Sequence, residues 1–307
     1  MKMDNGNLSR QVMKGIGWAA LASVMWGISG TVLQLISQNL AIPATWMLST
    51  RTLITGMILL AISFCIYGKR TFDVFKTKET AISVVTYAIF GLMLNLLTFY
   101  YAVQTGNASA ATILQYLSPL FIVLGDIFIL RERPLRSDII AFALAMIGIV
   151  MCVTRGNLHS LSLPVVSLLW GLGSGITAAF YVVLPKRAVA KNPPLVVLGW
   201  GTMIAGVLFN LYRPMWVNPP HISTTLVLSV GTVILFGTIL PFGLLLHATN
   251  FAPSDVVSIM DALQPIVTSV LSVIFFHLFM NWVEIIGIIL VLIAIYLLQD
   301  GRRKIQV

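Results

Sequence analysis

A chain of 307 residues that is 58% hydrophobic and only 9% charged cannot cover a water-facing surface, because soluble domains carry about 25% charged residues. Its net charge of +9 sits in short basic clusters between apolar runs rather than on an aromatic-laced basic face, which argues against nucleic acid as a partner and for a lipid bilayer. Cys65 and Cys152 lie in separate apolar runs without a second ligand at metal spacing, so neither a metal site nor a redox pair is expected, and no cofactor is implied.

The first apolar run starts after Lys14. It is too long for a signal-peptide core and has no Ala-x-Ala cleavage site, so it reads as a retained helix. About 20 apolar residues cross the hydrocarbon as a helix. In chain order, ten runs meet that need: 15–36, 45–67, 81–102, 108–130, 137–154, 163–184, 195–213, 224–247, 254–276 and 282–299. The fifth is short and the tenth nearly so. Breakers fall between the runs, at Pro43, Gly106-Asn107, Pro134, Pro193-Pro194, Pro219-Pro220 and Pro253.

The positive-inside rule orients these spans. With the N-terminus in the cytoplasm, 16 of the 19 Lys and Arg residues fall in cytoplasmic segments, ending with Arg302, Arg303 and Lys304. Only Arg155 and Arg213 fall outside, and Arg51 lies within the second span. Nine or eleven spans would place the basic C-terminus outside, so ten spans with both termini cytoplasmic are expected.

An internal repeat divides the chain. Shifted by 146 residues, Tyr101 through Pro119 lies over His247 through Pro265 without a gap, so Gln115 meets Asp261 and Pro119 meets Pro265. Trp26-Gly27 lies over Trp170-Gly171 at a shift of 144. The expected units are residues 1–157 and 158–307. Five is an odd number of spans, so the second unit enters the membrane from the opposite side. The expected fold is an all-α membrane protein of ten transmembrane helices in two inverted five-helix repeats. Such repeats place a solute site near the midplane, where the halves meet.

Trp26-Gly27, Arg51-Thr52-Leu53, Tyr100-Tyr101-Ala102, Ala110-Ala111, Leu117-Ser118-Pro119 and Arg131-Glu132-Arg133-Pro134 together resemble the drug/metabolite transporter superfamily, EamA type. The resemblance covers essentially the whole chain. The second copy departs from it, with Leu278 at the position of Glu132 and Gly201 near that of Arg51. The resemblance implies a transporter, often an exporter, of small organic molecules such as amino acids, amines or drugs, and in some relatives coupling to protons.

Polar groups in hydrocarbon are costly, so each needs a reason. Asp261 lies about 12 Å into the ninth span on a rise of 1.5 Å per residue, and Gln115 lies at a similar depth in the fourth. Asp261 suits a substrate cation or a coupling proton; its alternative is a structural carboxylate bonded to Ser258 or to another helix. Pro119 and Pro265 each free the carbonyl four residues earlier, at Gln115 and Asp261, and are expected to kink their helices. Trp26, Asn95, Gln115, Tyr116, Trp170, Tyr181, Asp261 and Gln264 form the candidate substrate-binding set. Arg51, Asp126, Glu132 and His247 form the candidate gating or coupling set. Arg51 either snorkels outward, locks an outer gate or holds a substrate carboxylate. Trp18, Trp46, Trp200, Trp216 and Trp282 fall near span ends and suit interfacial anchoring. Gly171, Gly173 and Gly175 permit close helix approach rather than a dinucleotide loop, since no βαβ unit surrounds them.

The leading functional expectation is a secondary transporter, an exporter working by alternating access, with a proton-coupled importer as the alternative. No Walker A motif appears and no ATPase partner is evident. An intramembrane aspartyl protease built on Asp126 and Asp261 lacks the Gly-x-Gly-Asp pattern. A non-transporting scaffold lacks an exposed partner domain.

Overall fold

The computed structural model describes residues 5–128, 131, 134–157, 162–252 and 260–303, with the side chains of 5–11, 302 and 303 left aside. Glu132, named above as a gating candidate, lies outside the described residues, as does Ser258. The boundary between 157 and 158 abuts another such stretch.

Every regular element among the described residues is helical. Among the described residues, nine helices are long and apolar enough to cross a membrane: span 1 (Val12–Asn39), span 2 (Ala44–Phe75), span 3 (Lys78–Thr105), span 4 (Ala108–Phe128), span 5 (Arg136–Thr154), span 6 (Val165–Val189), span 7 (Pro194–Tyr212), span 8 (Thr224–Ala248) and span 10 (Trp282–Gly301). Span 9 is described over Met260–Phe276. That stretch alone is about 25 Å long at 1.5 Å per residue, most of the hydrocarbon thickness. Large apolar side chains within the spans point away from the protein, among them Ile147, Leu169 and Leu228, each more than half exposed. In water that surface would collapse; in lipid it is the solvent-matched face.

The packing repeats itself when the two halves are exchanged. Span 2 lies along span 7, and span 5 along span 10. Span 3 packs on span 6 as span 8 packs on span 1, and span 4 packs on span 6 as span 9 packs on span 1. This is the contact pattern of two five-helix repeats related by a pseudo-two-fold axis in the membrane plane. Five crossings per repeat invert the second relative to the first, and ten place both termini on one face. At the crossing of spans 5 and 10, Gly148 and Gly287 face each other. A Cβ on either would come within 2.6 or 2.7 Å of the other's carbonyl oxygen, so only glycine permits this approach.

The face opposite the termini is sealed. Leu33, Ile36, Trp46, Met47, Tyr100, Val103, Phe209 and Val233 belong to one buried apolar cluster there. Side chains tie the helix ends around it to backbone groups. Gln38 Nε2 donates to the Val103 and Gly106 carbonyls, each at 2.8 Å. The Tyr100 hydroxyl donates to the Ile42 carbonyl at 2.7 Å. Trp46 Nε1 donates to the Met215 carbonyl at 2.8 Å. Trp46 is therefore a buried latch rather than the interfacial anchor expected from its place near a span end. Trp216 and Trp282 are largely exposed at that end of the bundle, where anchoring is expected.

Helix irregularities also follow the repeat. Span 4 breaks after Gln115: the Leu117 amide reaches back three residues to the Leu114 carbonyl, and a fresh helix starts at Ser118. In span 9 a tight 3₁₀ turn over Met260–Ala262 precedes the helix Leu263–Phe276. Both irregular turns lie just ahead of a proline, Pro119 or Pro265, as the missing N–H at each requires. Spans 3 and 8 carry π-helical segments, Tyr87–Met93 and Leu235–Ile239, which overlap under the same 146-residue shift.

Candidate functional site

A cavity of about 290 Å³ lies between the halves. Spans 1, 2, 3, 4, 6, 7, 8 and 9 line it, whereas spans 5 and 10 stand apart as an outer pair. It lies below the sealed cluster, and Tyr181, Val182 and Leu198 extend its wall toward the termini face.

Of the expected substrate-binding residues, Trp26, Asn95, Gln115, Tyr116, Tyr181, Asp261 and Gln264 line this cavity. Trp170 is not among its lining residues. Its ring stacks on Tyr101 with centroids 5.0 Å apart, packed against the sealing cluster. Span 6 instead presents Ala178, Tyr181 and Val182, about two to three turns further along. The repeat thus pairs Trp26 and Trp170 in sequence but not in surroundings.

Of the expected gating residues, Arg51 lines the cavity. It is buried, with 8% exposure, and so does not snorkel. Its Nη2 donates weakly to the Gly237 carbonyl at 3.5 Å and to Thr238 Oγ1 at 3.3 Å. Among the described residues, no carboxylate forms an ion pair with it. Asp126 is partly buried in span 4, on the termini side of the cavity and outside its lining. His247 is exposed near the termini end of span 8, with Trp18 and Phe251 edge-on at 5.4 and 5.0 Å.

Span 1 connects the polar elements. Ser23 Oγ donates to Asp261 Oδ1 at 3.4 Å. Three residues on, and so on nearly the same helix face, Trp26 Nε1 donates to the Gly237 carbonyl at 3.2 Å. That carbonyl is the one Arg51 also reaches. It is available because residue 241, four positions on, is proline and has no N–H to donate to it. Across the cavity, Gln115 Nε2 donates to Asn95 Oδ1 at 3.3 Å and to Ser174 Oγ at 3.0 Å. Asn95 Nδ2 in turn donates to the Ser174 carbonyl at 3.0 Å. One wall is thus a neutral amide cluster, and the other carries charge.

Thr55 and Thr202 also line the cavity, from the paired spans 2 and 7. Their hydroxyls are buried and have no hydrogen-bond partner among the described residues. Buried hydroxyls are rarely left unpaired without reason. Sequence reasoning missed Ser23, Thr55, Thr202 and Gly237. Only Gly237 had a readable signal: Gly91 lies 146 residues before it, the shift that pairs Pro119 with Pro265.

The EamA-like transporter family profile matches residues 13–154 and 165–299. The chain belongs to the EamA-like transporter family. The profile thus matches the chain twice, as two repeats. It is 30% identical over 292 residues to a protein of Salmonella typhimurium named "uncharacterized inner membrane transporter YicL", covering 95% of this chain and 97% of that one. It is 24% identical over 290 residues to the "uncharacterized transporter YwfM" of Bacillus subtilis, covering 92% and 93%. A crystal structure at 17% identity matches with a TM-score of 0.60 over 97% of this chain and 99% of the other, which shows the fold. The chain is therefore a multi-pass membrane transporter.

Proposed function

We propose that this EamA-family chain is a secondary transporter that exports small organic solutes, such as amino acids, amines or drugs, across the cytoplasmic membrane by alternating access. Both termini are cytoplasmic in this reading, and the cavity between the halves is the solute site. The observation that carries it is a cavity with charged and amide groups in its wall at the meeting of two inverted repeats, sealed toward one face by apolar packing and extending toward the other. Its volume lies at the lower edge of the range for small-molecule sites, about 300–1,000 Å³, which favours a compact solute. Rocking of the halves about the pseudo-two-fold axis exposes the same residues to each side in turn.

The broken turns at Gln115–Leu117 and Met260–Ala262 and the π-helical segments of spans 3 and 8 supply loosened backbone where each half can bend. Asp261 binds the solute or a coupling proton, and Gln115 faces it as a neutral counterpart. The experiment is counterflow in proteoliposomes with wild type and Asp261→Asn, each confirmed folded by thermal melting. The reading expects solute exchange in wild type and at least a tenfold loss in the variant. Equal rates with unchanged pH dependence contradict the role given to Asp261.

A further inference from the structure

Arg51 and Asp261 are the only charged side chains that line the cavity among the described residues. Neither has an ion-pair partner there. Arg51 has two long bonds to neutral oxygens, and Asp261 has one long bond to the Ser23 hydroxyl. A charge held away from water is costly unless it is paired, so each pole calls for a compensating charge. The two poles carry opposite sign, and the cavity is formally neutral.

Span 1 reaches both poles. Ser23 touches Asp261, while Trp26 shares the Gly237 carbonyl with Arg51. Three residues of helix separate these attachment points by roughly 4.5 Å along the axis. The Trp26 indole and the hydroxyls of Thr55 and Thr202, unpaired among the described residues, line the same cavity. A solute with one net charge would neutralise one pole and leave the other uncompensated once water is shut out. A zwitterion compensates both.

We infer that the cavity selects a net-neutral zwitterion, with its carboxylate at the Arg51 guanidinium and its cationic group at the Asp261 carboxylate. The inference rests on the transport reading above for its biological use, but it concerns binding and can be tested apart from transport. The guanidinium suits the carboxylate because its planar fork donates two parallel hydrogen bonds. Arg51 is then the specificity-determining residue that separates an amino acid from its decarboxylated amine.

The test is binding to purified wild-type protein of matched trios: leucine, 3-methylbutylamine and N-acetyl-leucine, with the corresponding trios built on alanine and phenylalanine. Thermal shift and titration calorimetry report binding. The zwitterion of at least one trio is expected to bind at least about tenfold more tightly than both of its half-charged relatives, the worth of one charge-assisted hydrogen bond. Arg51→Gln should erase the advantage over the amine, Asp261→Asn should erase the advantage over the N-acetyl compound, and Arg51→Lys should restore part of what Arg51→Gln loses. The wild-type comparison decides the question even where a variant fails to fold. An amine or N-acetyl compound that binds as tightly as its zwitterion overturns the inference, as does a lack of binding by all three zwitterions. Zwitterion binding without counterflow would uphold the inference and contradict the transport reading. Counterflow of an amine alone would do the reverse.

Discussion

Ser23 and Asp261 lie 238 residues apart in sequence, yet Ser23 Oγ donates to Asp261 Oδ1 at 3.4 Å across the contact between the two repeats. The bond joins the first span of one half to the ninth span of the other, at the edge of the shared cavity. Its length marks a weak bond. Ser23→Ala is therefore expected to leave folding intact and to change solute affinity by less than about fivefold, well short of the effect of Asp261→Asn. Titration of the same solute against both variants checks the ranking.

Trp26 offers a cleaner division of roles. Trp26→Phe keeps an aromatic wall but removes the donor to the Gly237 carbonyl, 3.2 Å away. Arg51 then becomes the sole side chain bonded to that oxygen in the structure. A two- to tenfold loss in transport rate is expected from the lost hydrogen bond, about 0.5–1.5 kcal/mol. Trp26→Ala, which also opens the wall, should lose more. Counterflow rates for the two variants test the order.

The amide wall should matter for stability as well as for binding. Gln115→Leu removes both donations, to Asn95 and to Ser174. The partners left behind are partly or fully buried, so a loss of about 1–3 kcal/mol is expected. Thermal melting in detergent measures it. Gln115→Glu, which adds a second carboxylate to the cavity, should further weaken binding of any anionic group.

Gly148 and Gly287 test the outer helix pair without touching the cavity. Gly148→Val places branched carbon where 2.6 Å separates an ideal Cβ from the Gly287 carbonyl oxygen. Spans 5 and 10 would have to part, at a cost of about 1–3 kcal/mol for overpacking. A lower melting temperature with unchanged solute selectivity is expected, since neither span lines the cavity. By contrast, Glu79→Ala removes only the exposed pair with Lys191, 3.2 Å apart, and should change stability by less than about 1 kcal/mol.

Much of the architecture was legible because the bilayer imposes length and polarity on each span. The ten runs and the described spans agree to within a few residues at most ends; the larger differences are amphipathic turns the apolar criterion omits. Gly68–Phe75, for instance, continues span 2 as a 3₁₀ segment bearing Lys69 and Arg70. The 146-residue shift also pairs Gln115 with Asp261, and both line one cavity. What the shift could not give was side-chain direction. Trp170 matches Trp26 in register but stacks on Tyr101, because rotation of span 6 about its axis is set by packing against spans 3 and 4. Arg51 stood open among snorkelling, gating and binding because hydropathy fixes depth and not facing. Ser23 and the hydroxyls of Thr55 and Thr202 carried no signal at all, since Ser and Thr are common within membrane helices and bond to their own backbone.

The central claim, one cavity reached alternately from two faces, is tested most directly by a single thiol at Thr55. Among the described residues its hydroxyl makes no hydrogen bond that the substitution would break, and it lines the cavity. Thr55→Cys in a Cys65→Ser, Cys152→Ala background leaves one cysteine to react with a membrane-impermeant maleimide. Labelling from the termini face in the resting protein is expected, with labelling from the opposite face rising when a solute gradient drives exchange, and protection by saturating solute. Labelling confined to one face under every condition, or unaffected by solute, would contradict the account.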